Sequence, residues 1–219
     1  YNMLTLTGLV VFPDMVIHFE VSGDRAVDAI NDAMERDSLI FLTMKNDPLL
    51  SDSDINNVSK IGCLAQVRQV IKLPNNNLRI MIEGKRRAKL NDIISDESFD
   101  RALVSECPDK KTRVSQTVET ALIRHAQGLF EDYASLSQRI APDIRAMVMT
   151  APDAGILADY IAANLPFGTD VKQRVLDELN PVKRLEKLIV SMTKEIEILG
   201  IDREISEKVK EQLDRNQRD

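Results

Sequence analysis

Two histidines, two cysteines and one short basic run are the residues here with the most obvious chemical capacity. His18 lies in a β-prone run and His125 in a helix-prone one, so the two do not share metal-ligand spacing, and Cys63 and Cys107 do not pair with them. A satisfied structural histidine is the expected state of His18. No glycine-rich segment ends in Lys-Ser or Lys-Thr, and the eight glycines are scattered singly, so a nucleotide would find no backbone cradle. Neither serine nor lysine falls in a nucleophile-elbow pattern. The carboxylates are plentiful but are distributed as solvated helix faces. Lys85-Arg86-Arg87-Ala88-Lys89 is the cluster that points toward a polyanion. It directly follows a strand pattern, which sends alternate residues to opposite faces, and it has no interleaved aromatics, so nucleic acid is a disfavoured partner. Eight methionines are a different resource. Met81 falls on the wetter face of its strand with Arg79 and Glu83, and Met147 and Met149 flank a short helix. Thioethers adapt to varied apolar sequences, although gap-filling in a core is their commoner use.

The composition excludes several classes. Hydrophobic content of 43% with 29% charged residues belongs to an ordinary soluble chain with ample core material. The net charge is −6, and both parts about Pro108 are acidic, twelve basic against sixteen acidic residues before it and seventeen against nineteen after it. Neither part is built for a phosphate backbone. No apolar run approaches the roughly eighteen residues needed to cross a bilayer, so no membrane partner is expected. Two cysteines make no disulfide framework, and a reducing cytoplasm is the expected location. The sequence opens at Tyr1 rather than Met, so residues before it, a cleaved leader included, fall outside what it records.

The elements that must position these residues fall into two kinds. Up to Cys107 the chain is mostly strand. Leu4–Thr7, Leu9–Phe12 and Met15–Val21 are β-prone runs broken by Gly8 and Pro13. Asp24–Arg36 switches to helical period, with Ser22 or Gly23 as its cap and Asp24 and Asp28 in its first turn, where the helix dipole favours negative charge. Leu39–Leu42 is a continuous apolar run and reads as a buried strand, and 47–57 is a polar loop. Ile61–Arg68 and Leu78–Glu83 alternate about Pro74-Asn75-Asn76-Asn77, a hairpin whose asparagines tolerate positive φ. Two more strands are expected at Ala88–Ile94 and Phe99–Cys107. Five to seven strands with one early helix imply a small, curled, partly closed sheet, since a flat open one would expose long edges. Beyond Pro108-Asp109-Lys110-Lys111 the chain turns helical. Val114–Gln138 has Val118, Ala121, Leu122, Leu129 and Leu136 on one face. Asp143–Met149, Asp153–Asn164 and Thr169–Leu179 follow, with Asp153 and Thr169 as N-caps. The fold class is therefore α+β.

The last stretch, Pro181 to Asp219, organises the rest. Asn180 is a good N-cap, and proline suits the first helical position. Leu185, Leu188, Ile189, Met192, Ile196 and Leu199 recur at helical spacing, and Ile198, Ile201, Ile205, Val209 and Leu213 continue the stripe after a small rotation. Nine basic and nine acidic residues occupy the other face. Still amphipathic at its end, this helix reads as an arm leading to something further. Ile205, Val209 and Leu213 lack an evident partner and are the candidates for assembly.

Several segments, in order, resemble the N-terminal region of the ATP-dependent Lon protease family. Leu6-Thr7-Gly8-Leu9-Val10-Val11-Phe12-Pro13-Asp14-Met15-Val16-Ile17 is similar to that family's opening, an apolar strand running into Phe-Pro, although His18 stands near where a second proline is usual. Asp37–Lys45, Gly62 through Leu73-Pro74, and Ile82-Glu83-Gly84 with the basic residues after it resemble its next strand, central hairpin and Glu-Gly turn. Lys172–Leu176, Arg184-Leu185, Val209-Lys210-Glu211-Gln212 and Asn216-Gln217-Arg218 resemble its helical part. The resemblance implies a PUA-like β domain at 1–108, a helical domain at 109–180, and a long helix at 181–219 leading toward an AAA+ ATPase module and a Ser-Lys protease that this sequence does not contain.

On that basis the chain is expected to be the substrate-recognition and assembly region of a hexameric serine protease that degrades misfolded and short-lived regulatory proteins. It would have no catalytic, cofactor or metal site of its own; the family uses ATP and magnesium elsewhere. Expected partners are unfolded or degradation-tagged proteins and further copies of the chain, through a coiled coil of the long helix. The expected substrate contacts lie in the β domain: Phe12 and Met15, Met81 in the hairpin, and the early-helix charges Asp24, Arg25 and Asp28. The competing expectations are a free-standing PUA-like RNA-binding module, which the charge balance disfavours, and a small enzyme, which would need a deep pocket holding a strongly shifted acid or base.

Overall fold

A computed structural model describes residues 1–217. In chain order its elements begin β1 (Asn2–Leu6), β2 (Val16–Val21), α1 (Asp24–Met34), β3 (Leu39–Met44), β4 (Ile61–Leu73), β5 (Asn77–Ser95) and β6 (Asp100–Glu106). The strands form one sheet in the order β2-β5-β4-β3-β1-β6, and β5 also pairs with β6, so β1, β3, β4, β5 and β6 close into a ring with β2 attached outside it. The curled sheet expected from the strand lengths is therefore present. Only β1 and β3 run parallel among these pairs.

Two stretches expected as separate strands, Leu78–Glu83 and Ala88–Ile94, are one 19-residue strand, β5. Its first half pairs with β2 and its second with β6. A single strand can serve both because its register against β4 shifts between Leu64 and Ala65, where Lys85 is left unpaired; an extra residue of this kind bends and twists a strand. Gly84 stands at that bend. A Cβ there would lie 2.0 Å from the Phe12 carbonyl oxygen, so the close approach of the 8–14 segment requires glycine.

That segment corrects a second expectation. Leu9–Phe12 is not a strand. Its side chains alternate, but between two cores: Val11 enters the cluster inside the sheet, while Val10 and Phe12 enter the cluster built by the helices. The segment is held at its end by the Asp14 N–H donating to Gly84 O and the Gly84 N–H to Met15 O, both at 2.9 Å.

The helices follow as α2 (Gln116–Ser137), α3 (Pro142–Met149), α4 (Ala154–Asn164), α5 (Thr169–Asp177) and α6 (Pro181–Asn216). Local signals set their starts. The Asp153 and Asn180 side chains accept from first-turn N–H groups of α4 and α6, as their sequence positions imply, whereas α5 is preceded by Gly168 and not capped by Thr169. The face of α2 also differs from its apolar pattern. Ala126, Phe130 and Tyr133 are buried and Val118 is exposed, because the helix packs through its middle and end. α4, buried almost throughout, forms the centre of the helical cluster with α2 and α6 around it. At 36 residues α6 is about 54 Å long. The expected helical segment 181–219 includes Arg218 and Asp219, which lie outside the described residues.

Candidate functional site

The residues singled out from the sequence do not converge on one point. Phe12 is fully buried in the helical cluster, so its expected role as a surface contact is withdrawn: burial of its ring joins the two parts of the fold. Met15 is half-buried and packs against both clusters. Met81 is half-buried on β5 directly opposite His18 of β2, on the outer face with Val16, Glu20, Arg79 and Glu83. Asp24 and Asp28 are exposed at the start of α1, and Asp24 accepts from the Asn76 amide at 3.1 Å.

Arg25 is exposed but occupied. It donates to the carbonyls of Asp96 and Glu97 and to the Asp100 carboxylate, at 2.9, 3.1 and 2.9 Å. Asp100 in turn accepts from Ser53 and Ser95. Arg25 thus ties α1 to the β5–β6 turn, a bracing role in place of the orienting contact expected of it. Ile205, Val209 and Leu213 are 54%, 49% and 56% exposed on a part of α6 that has left the body; Met192 is its last buried residue.

Two concavities flank this layout. A slot of about 340 Å³ opens between β1 and the end of β2, lined by Leu4, Leu6, Leu9, Phe19 and Ala26, with Glu20 and Ser22 at its mouth. A wider groove of about 920 Å³ runs between the end of α2, the α4–α5 loop and α6, with Tyr133, Leu136, Ile140, Leu165, Lys172 and Leu199 on its walls. Burial holds Lys172 below, and Tyr133 above, the usual value for its type.

The most ordered chemistry in the molecule lies behind the site, where sequence reasoning placed a surface. The basic run divides three ways. Lys85 meets Glu83 at 2.8 Å, Arg86 is exposed, and Arg87 is buried. Arg87 makes a two-pronged pair with Asp159 of α4 at 2.7 and 2.8 Å and donates to Leu176 O at 2.8 Å. Burial works against its charge, but the bonds and charge of Asp159 prevail, so its pKa is raised. Arg184 of α6, also fully buried, reaches Asp159 at 3.5 Å, pairs with Asp109, and donates to Glu178 O at 2.9 Å. Strand, linker and two helices therefore meet on four charges that neutralise one another. The available signal was Asp159, a lone acid in the apolar run Ala154–Ala163. Beside this cluster, burial raises the Cys63 thiol to about 12, which keeps it neutral and unreactive. No group of three or more His, Cys, Asp or Glu able to hold a metal occurs among the described residues.

Comparison with known proteins covers nearly the whole chain. A family model described as the substrate-binding domain of ATP-dependent protease La (LON) matches residues 1–194. The Lon protease of Heliobacterium modesticaldum is 36% identical over 219 residues, and that of Brevibacillus choshinensis 34% over 217; each match covers 99% of this chain but 26% and 28% of the relative. The chain thus spans about a quarter of the length of the relatives it matches. Among solved structures, the N-terminal domain of Mycobacterium avium complex Lon protease superposes with a TM-score of 0.70 at 23% identity, covering 88% of this chain and 97% of that one. A Lon N-terminal domain protein from Xanthomonas campestris gives 0.60 at 18%, covering 86% and 96%. At these identities the likeness is one of fold.

Proposed function

Because this chain belongs to the Lon substrate-binding domain family, we propose that it selects protein substrates for an ATP-dependent serine protease carried by a longer chain, and contributes to that protease's assembly. The observation that carries the reading is the family match running through both the sheet and the helical cluster. Its substrates are misfolded and short-lived regulatory proteins, distinguished from native ones by exposed apolar and extended chain. ATP and magnesium act outside this span, in the ATPase module, and cutting is done by the protease module. The reading carries a cytoplasmic location and a hexameric parent with it. No described helix is long and apolar enough to cross a membrane.

Within the chain, the outer face of β2 and β5 is the surface assigned to substrates. Half-buried Met81 supplies adaptable apolar area there, and exposed Asp24 and Asp28 supply charge. The distal part of α6 is assigned to contact with another copy. The RNA-binding alternative loses its main support, since the middle of the basic run is neutralised inside the protein.

The test is to titrate the 219-residue chain with one protein in its native and its reduced, denatured forms. Binding of the unfolded form alone, weakened by Met81→Ser at unchanged melting temperature, is the expected result. Equal affinity for both forms, or none for either, would overturn the reading.

A further inference from the structure

Among the described residues, β2 is hydrogen-bonded on one side only. The Gly84 N–H donates to Met15 O, and the antiparallel register then runs Val16↔Glu83, Ile17↔Ile82, His18↔Met81, Phe19↔Ile80, Glu20↔Arg79. Bonded and non-bonded pairs alternate in such a ladder, so Ile17 and Phe19 turn their backbone groups toward β5, while Val16, His18 and Glu20 turn theirs outward. Among the described residues no backbone group outside the sheet answers them. Exposed sheet edges are commonly guarded by lysine, proline or a covering segment. Of the outward positions here only Glu20 is charged, and Arg79 neutralises it at 2.8 Å, while Val16 is an apolar side chain 61% exposed.

The edge leads into the slot. β1, on its far side, pairs with β6 only at Asn2, so Met3–Leu6 is also without a partner on that flank. Leu4, Leu6, Leu9, Phe19 and Ala26 give the slot an apolar floor, and its volume of about 340 Å³ suits one or two side chains and no folded domain. Glu20 is the one charged residue that lines the slot. Glu20 is matched by Arg79 at 2.8 Å, and Arg25 is drawn away to the β5–β6 turn. Asp24 is turned to the Asn76 amide of the β4–β5 turn, and neither it nor Asp28 lines the slot.

We propose that an extended polypeptide segment adds to the outer edge of β2 as a further strand and seats an alternate apolar side chain in the slot between β1 and β2. The inference rests on the substrate-recognition reading and specifies its mode. Main-chain bonds to Val16, His18 and Glu20 supply sequence-independent affinity, and the apolar slot supplies selection. Segments of this kind are covered in native proteins and exposed in unfolded ones, which gives the required discrimination.

The experiment uses the 219-residue chain and a fluorescent peptide of about eight residues, the length of an ordinary strand, with alternating leucine and threonine and one terminal lysine. A series of such peptides, each N-methylated at one position, should lose affinity at every second residue by roughly tenfold, the cost of an unmade backbone bond and its desolvated partner. Leucine-to-serine exchange in the peptide should weaken binding as well. His18→Pro removes an outward N–H without breaking a ladder bond, the one placement a strand tolerates, and should weaken both the peptide and a denatured protein. A flat N-methyl series, together with a folded His18→Pro chain that holds denatured protein normally, would overturn the edge mode and leave the recognition reading standing. Failure of peptide and denatured protein alike to bind the unmodified chain would overturn both.

Discussion

The two halves of α6 are written in the same pattern and meet opposite fates. From Pro181 to Met192 the helix buries Val182, Leu185, Leu188 and Met192 in the helical cluster and places Arg184 in the four-charge joint. From Ile201 onward every described residue is exposed, although Ile201, Ile205, Val209 and Leu213 continue the apolar stripe. The near half has α2 and α4 beside it; the far half buries no described residue against the rest of the chain. Helical periodicity therefore reports which face wants cover, and the partner that covers it is decided by chain length and geometry.

The sharpest way to test this contrast is at the joint. Asp159→Ala leaves Arg87 and Arg184 buried without their shared counter-charge, and should cost on the order of 4 kcal/mol in chemical denaturation. A cost typical of surface sites would mean that the near half is not anchored as described. Next in size is Phe12→Ala, expected to cost about 3 kcal/mol because it opens a cavity between sheet and helices. Were it to weaken substrate binding at unchanged stability, Phe12 would return to the contact surface.

The far half should respond in the opposite sense. Ile205→Ser with Val209→Ser is expected to change monomer stability by no more than about 0.5 kcal/mol per site, as exposed positions do. The same pair should abolish concentration-dependent self-association in sedimentation. That association is expected to be weak, with an interface near or below ~1,200 Å². Sedimentation as a strict monomer at all concentrations, before any substitution, would break the contrast from this side.

The smallest effect is electrostatic. Burial, then the charges of Asp159 and Glu83, raise the Asp14 carboxyl above its ordinary value. The folded state therefore holds this proton more tightly than the unfolded state. Its benefit is complete below the ordinary carboxylate range and is lost as pH rises through the raised value. Asp14→Asn keeps a residue tolerant of φ 63° and should stabilise the chain at neutral pH by less than about 0.5 kcal/mol, since Asp14 is exposed and screened. The gain should vanish in acid; a gain that persists there would assign it to something other than charge.

How much of this was legible in the sequence follows from how local each signal is. Asn180-Pro181, Asp153 and the asparagine turn carry their structure within a few residues, and Asn75 and Asn76 do take positive φ. The β5 merger was hidden because a bulge and a glycine imitate a strand break. Phe12 was misread because alternation shows two faces without showing that each has a core behind it. The site was the least legible part. Arg25, Arg87 and Asp159 are distinguished by partners 72 to 75 residues away, and nothing in their neighbours announces those partners. The free edge of β2 is likewise a property of topology, and its outward residues are ordinary in type.

One consequence of α6 concerns mechanics. Clamped at Arg184 and packed as far as Leu199, the helix leaves residues 201–216 as a cantilever about 24 Å long. A tilt of about ten degrees at its root would carry the tip roughly 4 Å. Gly200 lies close to where the beam leaves its support, with no neighbouring atom within 4 Å of where a Cβ would stand. No close approach demands it there, and it costs the helix roughly 1 kcal/mol relative to alanine. The beam is thus thinnest near its root, where a bending moment is greatest, and a load at the tip is transmitted to the Arg87–Asp159–Arg184 joint through its most compliant residue.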